Sequence, residues 1–196
     1  MQRMTRTAAV LMVSAAMLGA CETPLDTQRL PEITFAHMQR FNVDVAKVEV
    51  IHASQSMLKA PHVEHLLPTS PARALERWAQ DRFKAVGRSG TLRLVVDEAS
   101  ALETPLARDK SLKGNFTKQQ SHRYDMAIRA RLELMDGPGR KLATAGANAS
   151  RSVTVREDIT LNEREKTWFD TVDLLTKDFD REIDANIRRY LADWIR

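Results

Sequence analysis

The sharpest pattern in the chain is an alternation. Tyr124, Met126, Ile128, Ala130, Leu132 and Leu134 take every second position, with Asp125, Ala127, Arg129, Arg131 and Glu133 between them. A period of two marks a β-strand with one buried and one wet face. Asp136-Gly137-Pro138-Gly139 is turn chemistry and predicts a hairpin. The returning strand covers 141–155, where Ala143, Ala145, Ala147 and Ala149 share one face and would let a helix lie close to the sheet. Two earlier strands are predicted. One covers 41–51, where Val43, Val45, Val48 and Val50 change phase after Val45, as at a β-bulge. The other covers 91–98, with Leu92, Leu94 and Val96 on one face.

Helical spacing occurs twice. Ser70 suits an N-cap and Pro71 the first helical position. Ala72, Leu75, Trp78, Ala79, Phe83 and Val86 then form one apolar side, and Gly87 is placed to end the helix. The second helix covers 162–195. Its stripe is Trp168, Val172, Leu175, Phe179, Ile183, Ile187, Tyr190 and Trp194, in steps of three or four. Glu163 and Glu165 sit near its positive end, and Arg188 and Arg189 near its negative end. Residues 54–69, with Pro61 and Pro68, and the polar stretch 104–120 read as loops. The order strand, helix, strand, strand, strand, helix predicts a two-layer α+β domain, a mainly antiparallel four-stranded sheet with two helices on one face.

The first residues have a different character. Arg3 and Arg6 precede an apolar run over 8–17, which is half of the roughly twenty residues a membrane span needs. A basic start, a short apolar run and small residues before a cut form the layout of an export signal. Leu18, Gly19, Ala20 and Cys21 close this region, and Cys21 is the single cysteine of the chain. That string resembles the lipobox of bacterial lipoproteins. The resemblance implies cleavage before Cys21, a diacylglycerol in thioether linkage to its sulfur, and acylation of the new amine. Each buried methylene adds about 0.8 kcal/mol, so two or three chains make a lasting anchor. In the same resemblance, Asp at the following position favours inner-membrane retention, and Glu22 is compatible with the expected place, the periplasmic face of the outer membrane, with the inner membrane as the alternative. The expected organisation is a signal peptide over 1–20, a lipid-anchored tether over 21–34, and one domain over 35–196. The element order is also similar to that of small envelope lipoproteins of the lipopolysaccharide-assembly and ABC-transport-auxiliary types. That similarity transfers no functional residue.

Charge adds little. The chain has 30 Lys and Arg against 26 Asp and Glu, and two of the basic residues, Arg3 and Arg6, lie in the segment expected to be removed, which leaves +2. No concentrated basic face points to nucleic acid. With Cys21 acylated, the domain has no thiol for disulfides, nucleophilic catalysis or zinc ligation. His62, Glu64 and His65 are too loosely spaced, between prolines, to predict a metal site, and His37, His52 and His122 are scattered. Ser150, Ser152 and Thr154 lie on a strand without a nucleophile turn, and there is no phosphate-binding glycine loop. No catalytic residue, metal or cofactor is therefore assigned.

Three surfaces are left as binding candidates. The wet sheet face mixes Arg93, Arg129 and Arg131 with Asp97, Asp125 and Glu133. The loop 104–120 carries Arg108, Lys110, Lys113, Lys118 and a lone aromatic, Phe116. The third is the end of the last helix. Thirty-odd helical residues reach about 50 Å, while ten-residue strands reach about 33 Å. An overhang would leave Tyr190, Leu191 and Trp194 for a partner, a membrane surface or the first helix to cover. The expected role is a non-catalytic, lipid-anchored accessory or binding protein of the envelope. Its partners would be the membrane, through Cys21, and an envelope or transport protein. An anchored enzyme acting on an envelope substrate and a lipid or lipopolysaccharide carrier are the alternatives.

Overall fold

The computed structural model describes residues 30–54, 57–107 and 118–196. The expected signal segment 1–20, Cys21, most of the expected tether 21–34 and Phe116 lie outside the described residues. Strands β1 (Phe41–Val43) and β2 (Lys47–His52) precede helix α1 (Pro71–Arg82). Strands β3 (Phe83–Ala85), β4 (Thr91–Pro105), β5 (Gln120–Met135) and β6 (Lys141–Arg156) follow, and helix α2 (Leu161–Tyr190) closes the series. The main sheet has four strands in the order β2-β4-β5-β6. β2 runs parallel to β4, and the other two pairings are antiparallel. α1 and α2 contact each other and the sheet, α2 chiefly over β6. This is the two-layer α+β domain that the alternation and the two stripes predict.

The register explains which residues enter the core. Leu92, Leu94 and Val96 of β4 are buried, and so are Tyr124, Met126, Ile128, Ala130, Leu132 and Leu134 of β5. A bulge between Val96 and Glu98 changes the phase of β4, after which Ala99 and Ala101 oppose Ile128 and Met126. One extra residue thus keeps small apolar side chains on the inner face. It also lets the strand continue to Pro105, beyond the predicted end at 98.

Three expectations are corrected. The segment 41–51 is not one bulged strand. β1 pairs in parallel with β3 in a separate two-stranded sheet, and only β2 joins the main sheet. The chain crosses between them beside Gly87, where an added Cβ would stand 2.4 Å from Asp44 Oδ1 and 2.6 Å from its carbonyl carbon. Gly87 therefore serves a close backbone approach and not a helix end. α1 stops at Arg82, and Phe83 is already extended, with φ −114° and ψ 143°. Phe83 stacks on Phe41 at 5.8 Å and meets the edge of Trp78 at 5.3 Å. These tertiary contacts win over a helical pattern that local spacing alone would continue.

The third correction concerns the last helix. A capping box starts it, in which the Thr160 hydroxyl accepts from Glu163 N and the Glu163 carboxylate accepts from Thr160 N. It ends at Tyr190 and not at 195, and a single 3-10 turn, Ala192–Trp194, follows. The chain then doubles back. Trp194 O accepts from Asp44 N at 2.9 Å, and Arg196 N donates to Asn42 O at 2.8 Å. α2 has 30 residues, about 45 Å, and β6 has 16, about 50 Å. The strands are longer than expected, so the helix does not overhang. Among the described residues no helix is long and apolar enough to cross a membrane.

Candidate functional site

The outer edge of β4 is covered in two pieces. β2 pairs along 91–96, and residues 61–63 pair along 101–103. Val63 N donates to Ala101 O at 2.9 Å and Glu103 N to Pro61 O at 2.8 Å. Between the two pieces, at the bulge, lies an open cleft of about 520 Å³ whose walls include His52, Met57, His62, Glu64, Glu98 and Ala99. His52 Nε2 is 2.8 Å from Glu76 Oε1, and His62 Nδ1 is 3.0 Å from Glu64 Oε1. Glu64 is buried, and its Oε1 also accepts from Ala101 N at 2.9 Å. On the other wall Arg129 faces Glu98 at 3.4 Å, and Arg131 pairs with Asp97. Each carboxylate of the cleft has a cationic or imidazole neighbour. The surface is a set of matched pairs that offers hydrogen-bonding groups around an apolar floor.

Sequence spacing separates these histidines and gives no hint that they meet. The crossover from β2 through α1 to β4, with residues 61–63 laid on the same strand, brings them together. His65 points elsewhere, into a groove with Ser70 and Arg73. Among the described residues no group of three or more His, Cys, Asp or Glu side chains stands ready to hold a metal ion.

A second groove, of about 490 Å³, lies between the segment 35–39 and α2. Its rim carries His37, Lys177, Arg181 and Arg188, and its floor is the buried Arg82. Arg82 Nε donates to Asp180 Oδ1 at 2.8 Å and its NH2 to Asp184 Oδ2 at 2.9 Å, while NH1 donates to Gln39 O. Trp78 Nε1 donates to the same Asp180 oxygen at 2.7 Å. Phe41 lies between two guanidinium groups, with Arg82 at 4.7 Å and Arg188 at 5.2 Å from its ring centre.

Thr34 and Phe35, near the start of the described residues, are strapped to α1 by Asp81. Its Oδ2 accepts from the Thr34 hydroxyl at 2.7 Å and from Phe35 N at 2.8 Å. Burial pushes the Asp81 carboxyl up, but those two donors, with Arg77 and Arg40 nearby, hold it below the ordinary aspartate range. A lowered folded-state value means that protonation costs the folded form more than the unfolded one. The contribution of the strap is therefore full above the unfolded value of about 3.9 and is lost as pH falls through the folded one. Asp81→Asn is expected to cost about 1.5–3 kcal/mol, as for a hydrogen bond to a charged group, read from the urea midpoint. The Phe35 amide resonance should titrate below the usual aspartate value, and titration at the usual value would contradict this strap.

At the far end of β5 the Tyr124 hydroxyl donates to Glu103 Oε1 at 2.6 Å. Burial first, then that hydrogen bond and the charge of Glu103, push the Tyr124 hydroxyl well above the ordinary tyrosine range. Tyr124 also meets Trp168 edge-on at 5.2 Å, which fixes the first turns of α2 on the sheet.

The wet sheet face is a lattice of ion pairs. Arg131 bridges Asp97 and Glu133, Lys141 reaches Glu133 at 2.5 Å, and Arg93 reaches Glu49 at 3.4 Å. The Lys141 hydrogen bond lowers the Glu133 carboxyl, burial opposes it, and Arg131 adds to the lowering. With its charges matched internally, this face holds no concentrated field of one sign. The C-terminal candidates separate. Leu191 is buried in the core, Trp194 is half-buried against it, and Tyr190 is exposed with Arg189 over its ring at 5.2 Å. The doubled-back tail covers what an overhang would have left open. Cys21 and Phe116 lie outside the described residues.

No protein-family model matches the chain, and the search of curated proteins gives no match either. Among solved structures, the chain is similar to a minor lipoprotein from Acinetobacter baumannii at TM-score 0.30 and 17% identity, over 71% of this chain and 91% of that one. A likeness of this size assigns neither family nor role.

Proposed function

We propose that the chain is a lipid-anchored, non-catalytic accessory or binding protein of a bacterial envelope. The observation that carries this reading is the lipobox-like string Leu18, Gly19, Ala20 and Cys21 at the end of a short apolar run, with the single cysteine of the chain in the acylated position. The anchor fixes the protein to one leaflet, taken from Glu22 as the periplasmic face of the outer membrane. The domain then works as a docking body for an envelope or transport protein. The open cleft at the β4 bulge supports a binding role, since it offers paired polar side chains over an apolar floor.

The experiment is the intact mass of the membrane-extracted protein beside a Cys21→Ser variant, with fractionation of both. The wild type should weigh as residues 21–196 plus acyl chains and sediment with membranes. The variant should lose the acyl mass and leave the membrane fraction. An unacylated wild type released in soluble form would sink the anchor reading.

A further inference from the structure

We propose that the loop 57–67 seats the domain on the lipid surface that holds its anchor, with Met57, Leu58 and Leu66 dipping into the interface. This rests on the reading of Cys21 as the acylated residue. Three observations carry it. The first is exposure. Met57 is 55% exposed, Leu58 75% and Leu66 56%, all within one short segment. The segment is not loose, because Val63 and Leu67 are buried in the core and residues 61–63 are bonded to β4. A turn from Lys59 O to His62 N and another from Val63 O to Leu66 N hold its two ends. Apolar side chains displayed on a firm frame call for a covering surface.

The second observation is charge. The single carboxylate of 57–67, Glu64, is turned inward and buried. The outward residues carry Lys59 and His65 and no acid. That composition suits the interface of a membrane with anionic headgroups, where a lysine beside apolar residues gains on both counts.

The third is where the tether arrives. Glu32 and Ile33 line a shallow groove with Thr69, Arg73 and Arg77, and Arg73 also lines the next groove with His65 and Leu67. The chain coming from Cys21 thus meets the domain one side chain away from the loop. Nine residue steps separate Cys21 from Leu30, a reach of at most about 32 Å. β5 alone, with 16 residues, is about 50 Å long. A tether shorter than the domain holds its attachment end close to the leaflet. The opposite end, at the turn after β5, stays in water.

The test uses the full acylated chain in vesicles of phosphatidylethanolamine and phosphatidylglycerol. A nitroxide thiol label is placed on Leu58→Cys, and on Pro138→Cys in the exposed turn as the reference. Mass spectrometry counts labels first, and one per chain means that Cys21 is blocked. We expect the label at position 58 to collide more often with oxygen than with a water-soluble nickel complex, and the label at 138 to show the reverse. Adding Leu66→Asp should shift the position-58 label back toward water. One label per chain with positions 58 and 138 equally wet overturns the seating and leaves the anchor standing. Two labels per chain mean that Cys21 is free, and the anchor and the seating fail together.

Discussion

Replacing Asp180 by alanine is expected to cost about 3–5 kcal/mol, because it strips the buried Arg82 Nε and the Trp78 indole of their shared acceptor and leaves the half-buried Asp184 as the one carboxylate bonded to the guanidinium. Arg82 is 1% exposed and Asp180 4%. The pair joins three parts of the fold, namely α1 through Arg82, α2 through Asp180 and Asp184, and the strap through Gln39 O. It also satisfies the indole of Trp78, whose ring is edge-on to Phe83 and Phe179. An apolar replacement of the whole set behaves differently from the removal of one partner. Arg82→Met with Asp180→Leu and Trp78→Phe leaves no buried charge and no unpaired indole donor, so it should recover most of the loss. Urea midpoints at constant m give both values. A loss below about 1 kcal/mol for Asp180→Ala would place the pair in solvent, as for an ordinary surface ion pair, and would contradict its burial between α1 and α2.

Arg82 also shows why part of this fold was not legible. By its local setting it is a polar residue near the end of an amphipathic helix, and such residues point to water. Only the strap at 35–41 and the face of α2, both far away in sequence, enclose it. Phe83 is the same case, since its place in the apolar stripe extends α1 by spacing and its actual partner is Phe41. By contrast, β5 was legible because its alternation is set by one buried and one wet face, a constraint that each residue expresses locally. The cap Ser70-Pro71, the α2 stripe from Trp168 to Ile187 and the turn at 136–139 were legible for the same reason. The sequence pattern ends β4 early because the bulge at Asp97 reverses its phase, and a strict two-residue period stops there.

The cleft was not legible at all. His62 and its partner Glu64 are near neighbours in sequence, but His52 and its partner Glu76 lie in other segments, and only the folded chain brings the two histidines to one cleft. The proposed anchor is the opposite kind of feature. Processing signals are read by other proteins from an extended chain, so their chemistry is local, and Cys21 can be singled out from four consecutive residues. On the proposed reading, the chain states where it is attached more plainly than what it binds.

The alanine row of β6 gives the second large expected effect. Ala145 and Ala147 are buried under α2, which lies along this strand. Asn186 Nδ2 donates to Gly146 O at 2.8 Å, and Arg151 holds Asp178 with Nε at 2.7 Å and NH2 at 2.6 Å. The first bond takes a backbone carbonyl of the edge strand β6 and the second ties a β6 side chain to α2, and both require the helix to sit close. Leucine at both positions adds side chains where the helix surface already is. The cost is expected to be about 2–6 kcal/mol in the urea midpoint, taking roughly 1–3 for each overpacked site. The two sites are neighbours, so the double variant need not equal the sum of the singles. Asn148→Leu, on the exposed face of the same strand, should stay within about 0.5 kcal/mol of the wild type. Both experiments place leucine on β6, one under α2 and the other on the exposed face, so a loss confined to the first reads the proximity of α2. If the double leucine variant were as stable as Asn148→Leu, the small side chains would not be what lets α2 lie on β6, and the packing of the two layers would need another cause.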